Sequence, residues 1–348
     1  MPYRESGERH FTRRTLVGTS IGTLAGLSVS RALASGTPPA VASPASPWTY
    51  EDVLGKKVSL PVRPSRIAAN LVTAAALWDL GIRVVAVFDS TASAYPDGNH
   101  IAWGNIDASA VTNVGDVDGN ILPETLLTVR PDVILTLTFD RTDPSQINGV
   151  PGDLADAIER IAPVLVVTDM DSTEIQLQRL VDLGAGLGAD LEAAAIVESK
   201  AAYEAKVDEF RAVVTEKRDL TVLFIDFDPG ELYVGGPRGV SELQFLDNLG
   251  LPFANAESDA AGEFWETLSA EQALKYPADV IYNDVYSGLR TEEELQTVAV
   301  YAAMPAIAAG QLGQWQRDFP VSYAGVADFL EVVLATLRTA EKVTSADS

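Results

Sequence analysis

The sequence predicts an α/β protein of two similar lobes with mostly parallel central sheets, joined by one long interlobe α-helix. Three observations predict it. First, Glu124–Ile134 (ETLLTVRPDVI) and Glu271–Ile281 (EQALKYPADVI) match: a glutamate opens a short helical stretch, Leu127 or Leu274 follows, and Asp-Val-Ile starts an apolar run. One helix feeding a buried strand says little, but two copies at the same internal spacing suggest two similar lobes. Second, short apolar runs alternate with helical patterns, as in parallel strands covered on both faces. Third, residues 191–217 contain neither Gly nor Pro, and Ile196, Tyr203, Val207, Phe210 and Val214 mark one face. A helix of about 27 residues is roughly 40 Å long, enough to run along one lobe and reach the next.

In chain order, residues 1–34 read as a Tat-type signal peptide. Arg13 and Arg14 stand directly before a modestly apolar stretch, Leu16–Val29, and Ala32-Leu33-Ala34 supplies the small-x-small cleavage pattern. Residues 35–47 (SGTPPAVASPASP) are Pro/Ser/Ala-rich without apolar period and read as an extended linker. The N-terminal lobe is expected over 48–189. Its strands are 66–69, 84–88, 133–137 and 164–167, and a helix over 74–80 ends at Gly81. Gly184, Gly186 and Gly188 break an earlier helix, and Asp190 is placed to cap the interlobe helix, 190–217. The C-terminal lobe, 218–343, repeats the grammar with strands at 221–225 and 280–282, and 344–348 is a tail.

Composition narrows the function. With 348 residues and 47% hydrophobic content, the chain can bury two lobe-sized cores, and beyond the N-terminus no apolar run is long enough to span a membrane. A formal net charge of −24 argues against nucleic acid and anionic membrane surfaces as partners. The absence of cysteine excludes disulfides, thiolate metal sites, a cysteine nucleophile and a lipid-modified cysteine. His10 and His100 are the two histidines, and His10 lies in the export segment. One remaining imidazole is a poor basis for a bare transition-metal site, so any metal handled here is expected to arrive inside a chelator.

The chain resembles the class III substrate-binding proteins of ABC importers, which carry iron–siderophore complexes, haem and cobalamin. The resemblance runs from Trp48 to Val343. It rests on Pro64-Ser65-Arg66-Ile67, on Pro123–Ile134, on the interlobe helix and on Ser269-Ala270-Glu271-Gln272. It implies that Glu124 and Glu271, one on each lobe, dock arginines of a membrane permease, although both could be plain surface acids at helix starts. It also implies an extracytoplasmic, monomeric carrier with no covalently bound cofactor, whose ligand is a small-molecule iron chelate, an Fe(III)–siderophore complex. Two departures stand out: no cysteine is present to carry a lipid anchor, and the export signal is of the twin-arginine kind. The expected location is therefore exported through Tat, in the periplasm or at the cell surface, without a cysteine-linked lipid.

In a two-lobe α/β protein the ligand sits among loops that follow the carboxyl ends of strands. Those loops supply the candidates Tyr95, Trp103 and Arg141 in the first lobe, with Tyr233, Arg238, Tyr286, Arg290, Trp315 and Arg317 in the second. Tyr233 and Arg238 are read in a loop over 226–241. Rings and guanidinium groups together suit a large, partly planar, polar or anionic complex, since arginine both stacks and donates to chelate oxygens. Each arginine taken alone is as well read as a solvated surface charge. A haem would need an axial ligand, for which Tyr95, Tyr233 or His100 could serve, whereas cobalamin would rely more on aromatic packing. From a different class, a secreted hydrolase working through paired carboxylates is the rival. Against it, the chain has no Gly-x-Ser-x-Gly elbow, no His-Glu-x-x-His and no phosphate-binding glycine loop.

Overall fold

The computed structural model describes residues 47–228, 230–285 and 292–344. Strands β1 (Trp48–Glu51) and β2 (Lys57–Leu60) form an antiparallel pair outside the two main sheets. Buried Trp48 donates from Nε1 to Gly186 O (3.0 Å), and Asp52 Oδ2 accepts from Val166 N (3.1 Å). These bonds pin the start of the folded chain to the first lobe.

The first lobe is a five-stranded sheet of β3 (Ile67–Asn70), β4 (Ala86–Phe88), β5 (Thr112–Asn113), β6 (Val133–Leu137) and β7 (Val164–Thr168). Its order is β5-β4-β3-β6-β7 and every pairing is parallel. Helices α1 (Leu71–Asp79), α2 (Ser90–Ala94), α3 (Pro123–Val129) and α4 (Ala155–Ile161) lie in the crossovers, and α5 (Thr173–Gly186) follows β7. Side chains alternate between two cores: Ile67, Ala69, Val133 and Leu135 enter one, and Ala68 and Ile134 enter the other. That two-sided burial is why these strands read as unbroken apolar runs.

Helix α6 (Ala194–Glu216) follows. Its buried face is Ile196, Val207, Phe210 and Val214. The expected cap at Asp190 is displaced: Gly188 turns the chain at φ +91°, Asp190 Oδ1 accepts from Glu192 N (3.2 Å), and Ala193 holds the cap position without a side-chain bond.

The second sheet contains β8 (Val222–Asp228), β9 (Glu231–Gly235), β10 (Trp265–Ser269), β11 (Val280–Asp284) and β12 (Leu312–Trp315), ordered β10-β9-β8-β11-β12. It is covered by α7 (Ser241–Asn248), α8 (Glu292–Thr297), α9 (Ala299–Ala302), α10 (Pro305–Ala308) and α11 (Tyr323–Leu337). The pairs β8–β11 and β11–β12 are parallel, whereas β8–β9 and β9–β10 are antiparallel. Across the two sheets the parallel pairings are therefore in the majority, as the sequence predicts. The loop expected over 226–241 is about half strand: β8 runs to Asp228 and Glu231–Gly235 pairs back on it as β9. Gly236 and Gly239 then pass under the 260–263 segment, where a Cβ would lie 2.0 and 1.9 Å from Glu263 O. The glycines of this stretch serve close backbone packing.

The matching segments occupy matching places. Asp132 N donates to Arg66 O (2.7 Å), and Oδ2 of Asp132 accepts from Ser65 N (2.8 Å) and Arg66 N (2.9 Å). Asp279 N donates to Thr221 O (2.9 Å), and its Oδ2 accepts from Thr221 N (2.8 Å). In each lobe the aspartate of Asp-Val-Ile thus ties its own strand to the start of the neighbouring parallel one.

Candidate functional site

A cavity of about 300 Å³ lies between the lobes. The first lobe contributes residues at or just after strand ends: Asn70 after β3, Asp89 and Ser90 after β4, Phe139 after β6, and Asp169 and Met170 after β7. The second contributes Ser241 and Glu242 at the start of α7, Phe264 before β10, and Arg317, Asp318 and Phe319 after β12. This is where parallel α/β sheets place ligands, because the backbone leaves open ends there.

The first wall is held by side-chain bonds. Asn70 caps α1 through Val72 N (3.1 Å) while its Nδ2 donates to Asp89 Oδ2 and Asn148 Oδ1, both at 2.9 Å. Buried Asp169 pairs with Arg179 (2.9 Å) and with Arg141, and Asp171 accepts from the same two arginines at 2.5 and 2.6 Å. Burial would raise the Asp171 carboxyl, but the bonds and charges of Arg179 and Arg141 outweigh it and hold the group below the usual range. These four charges cancel among themselves.

The second wall is different. Arg317 Nε donates to buried Asp284 Oδ2 (2.5 Å), and its guanidinium lies 5.2 Å from the Trp265 ring and 5.8 Å from Phe264. Glu242 is half-buried, whereas Asp318 is exposed at the cavity wall with both lobes close around it. Burial pushes Glu242 up to about 7, with the negative charges of Asp318 and Asp284 adding and Arg317 opposing. Burial likewise pushes Asp318 up to about 6, with Asp89 and Asp284 adding to it.

Of the nine candidates from sequence, Arg317 lines this cavity. Trp103 and Trp315 are core residues. Trp103 is 2% exposed, and Trp315 is fully buried against Phe224, with Nε1 donating to Ile225 O (3.2 Å). Arg141 stands behind the cleft wall in the Asp169/Asp171 network. Tyr95 is exposed and stacks on His100 at 4.7 Å between ring centres. Tyr233 lies on β9 with its hydroxyl donating to Glu231 (2.7 Å), and exposed Arg238 donates to Ala256 O (2.9 Å). Tyr286 and Arg290 lie outside the described residues, as do Arg13 and Arg14. Glu124 is the second residue of α3 and Glu271 the second of a 3₁₀ segment, Ala270–Lys275, and both are exposed.

Sequence reasoning missed Asn70, Asp89, Met170, Glu242, Phe264 and Asp318. A usable signal existed for three of them: Asn70, Asp89 and Met170 stand at or just after the carboxyl end of an apolar strand, whereas Asp318 follows β12, whose sequence LGQW is mixed in polarity. Glu242 and Phe264 reach the cleft from beside the antiparallel half of the sheet, which leaves no such mark. Among the described residues no group of three or more His, Cys, Asp or Glu could hold a metal ion, and no helix is long and apolar enough to cross a membrane.

Residues 73–318 match the family described as periplasmic binding protein. The chain belongs to that family. Among solved structures, this periplasmic binding protein is similar to DesE, a ferric-siderophore receptor protein from Streptomyces coelicolor: 29% identity over 86% of this chain and 100% of that one, TM-score 0.75. It also resembles the siderophore periplasmic binding protein of the fuscachelin gene cluster of Thermobifida fusca (22% identity, 80% and 98% coverage, TM-score 0.60). A third likeness is to FhuD of Vibrio cholerae, solved bound to Fe3+–Desferal (19%, 79% and 98%, TM-score 0.57). No curated protein matches the sequence. Membership of that family makes this a substrate-binding protein rather than an enzyme, so the hydrolase reading falls.

Proposed function

We propose that this protein captures a ferric siderophore in the interlobe cleft and delivers it to an ABC permease outside the cytoplasm. The likeness to the DesE ferric-siderophore receptor carries the reading, because it extends over 86% of this chain and so takes in both walls of the cavity. Phe139, Met170 and Phe264 give the cavity apolar surface, and Asn70, Ser90 and Gln176 give it neutral hydrogen-bonding groups, a mixture suited to an amide-rich chelate. Haem fits less well, since neither Tyr95, Tyr233 nor His100 lines the cavity. Glu124 and Glu271 are the proposed docking residues. Residues 1–34 are the proposed Tat signal, cleaved after Ala34, followed by a linker to residue 47 and then by lobes at 48–189 and 218–343 joined through the 190–217 segment. The mature chain is expected to act as an extracytoplasmic monomer.

The test is a fluorescence titration of the purified protein against Fe3+–Desferal, ferrichrome, a ferric tris-catecholate, haem and cobalamin. Trp265, half-buried beside cavity-lining Phe264 and 5.2 Å from Arg317, is the expected reporter. Saturable quenching by one ferric chelate is the expected outcome. Binding of haem or cobalamin with no response to any ferric chelate would overturn the proposal.

A further inference from the structure

The charges on the cavity wall say which ferric chelates it favours, an inference that rests on the siderophore reading above. Among the described residues five charged side chains line the cavity: Asp89, Asp169, Glu242, Arg317 and Asp318. Asp169 is neutralised by Arg141 and Arg179, and Arg317 is engaged by Asp284. Asp89, Glu242 and Asp318 remain, and among the described residues none of the three has an arginine or lysine at ion-pair distance. Asp89 accepts from two neutral donors, Asn70 Nδ2 (2.9 Å) and Thr91 N (2.8 Å), and faces His100, whose pKa burial lowers against the opposing charge of Asp89. Among the described residues the wall therefore offers carboxylates in excess of cations in a partly closed cleft, where charge interactions are stronger than on open surface.

We infer that the cleft selects ferric chelates carrying a positive charge, with a protonated amine on the chelate's periphery seated by Glu242 and Asp318 in the field of Asp89. A ferric ion held by three hydroxamates is neutral, so a pendant ammonium leaves the whole complex cationic. A ferric tris-catecholate is strongly anionic and would meet these carboxylates as a like charge, which costs affinity. The groups facing the acids are consistent with this. Glu242 feels Asp318, Asp284 and Arg317, while Asp318 feels Asp89, Asp284 and Arg317. Both acids hold protons more tightly than usual, with values of about 7 and about 6. An arriving ammonium favours their ionised forms, so binding releases protons, and affinity for the cation rises with pH through that range and flattens above it.

The decisive comparison uses Fe3+–Desferal, which has a free amine, and its N-acetylated form, which has the same hydroxamates and no pendant charge. At about pH 8, where both acids are ionised, the free amine is expected to bind about tenfold more tightly. In the Glu242→Gln/Asp318→Asn double variant that ratio is expected to approach one. The same collapse is expected in the unaltered protein at about pH 5, where both acids are protonated, so the test stands even if the variant misfolds. Equal affinity for the two chelates at high pH, or a ratio unchanged by both manipulations, overturns the charge inference and leaves the siderophore reading intact. Binding of neither chelate, nor of any other ferric siderophore, overturns both.

Discussion

The two lobes answer one structural problem with unequal means. In both, an aspartate of an Asp-Val-Ile run ties a strand to the start of its parallel neighbour. Beyond that shared centre they diverge. The first lobe continues outward with β4 and β5, parallel strands reached through helices, whereas the second continues with β9 and β10, antiparallel to their neighbours. Parallel additions leave open carboxyl ends on the cleft side, and Asp89, at the N-terminus of α2, comes from such an end. The antiparallel additions cannot do this at every strand, so the second wall is completed by α7 and by Phe264 ahead of β10. A duplicated architecture has thus produced two chemically different walls: one whose Asp169 and Asp171 are tied off by arginines while Asp89 is left with neutral donors, and one where Glu242 and Asp318 stand beside an Arg317 already paired with Asp284.

The largest effect is expected from removing the two equivalent aspartates, which tests how equal the lobes are underneath. Asp279 is fully buried and accepts from Thr221, Val343 and Thr344 while pairing with Lys342 at 2.8 Å. Burial would raise its pKa, but these bonds prevail and hold the group well below the usual carboxylate range. Asp279→Ala leaves several partly buried donors without partners and is expected to cost on the order of 3 kcal/mol. Asp132 accepts from the Ser65 and Arg66 amides and from the Ser65 hydroxyl (3.3 Å) and is more open to solvent, so Asp132→Ala should cost about 1–2 kcal/mol. Urea denaturation of both variants measures the difference. Because both carboxyls are depressed in the folded state, their contribution is complete above about pH 4 and is lost as pH falls through the folded values. Equal losses in the two variants would mean that the lobes share load more evenly than their hydrogen bonds indicate.

That asymmetry also explains what was legible in the sequence. The repeat, the parallel strands and the long helix rest on local periodicity and composition, which one chain displays directly. The strand-end rule then points at the cleft correctly, yet choosing rings and arginines within the loops misleads. Trp103 and Trp315 supply packing volume to the cores, and Arg141 is engaged by two aspartates distant in sequence. Whether a charge is free or engaged depends on such distant partners, and periodicity does not record them. The hairpin that makes Tyr233 a strand residue was hidden because 231–235 is too short and too mixed in polarity to announce itself.

Docking offers the next test, since it asks whether the outer surfaces of the lobes kept the equivalence that their inner walls lack. Glu124→Ala and Glu271→Ala should leave siderophore affinity unchanged, because neither residue lines the cavity. Each is expected to reduce uptake in cells, with the double variant worst. Truncating the acid of a carboxylate–arginine pair at an interface costs on the order of 2–5 kcal/mol when the pair is desolvated. If one variant impairs transport and the other does not, the permease reads one lobe only and the symmetric docking idea fails.

The smallest expected effect is a change of shape on binding. The lobes are joined by α6, whose Tyr203 packs on Tyr323 of α11 at 5.7 Å between ring centres. They are also fastened beside the cleft. Gln176 donates to Ser241 Oγ (2.8 Å), Gln244 donates to Met170 O (2.9 Å) and Asn248 donates to Glu174 (2.7 Å), each bond linking α5 or its approach to α7. A further tie runs from Ser322 Oγ, which caps α11, to Asp79 at the end of α1 (2.5 Å). Hinge closure on a large scale would have to break these bonds and bend a 23-residue helix at once. Small-angle scattering with and without ferric chelate should therefore give nearly the same radius of gyration. A contraction as large as that of binding proteins hinged on flexible strands would show that these ties yield, and that the cleft is assembled by the ligand rather than offered to it.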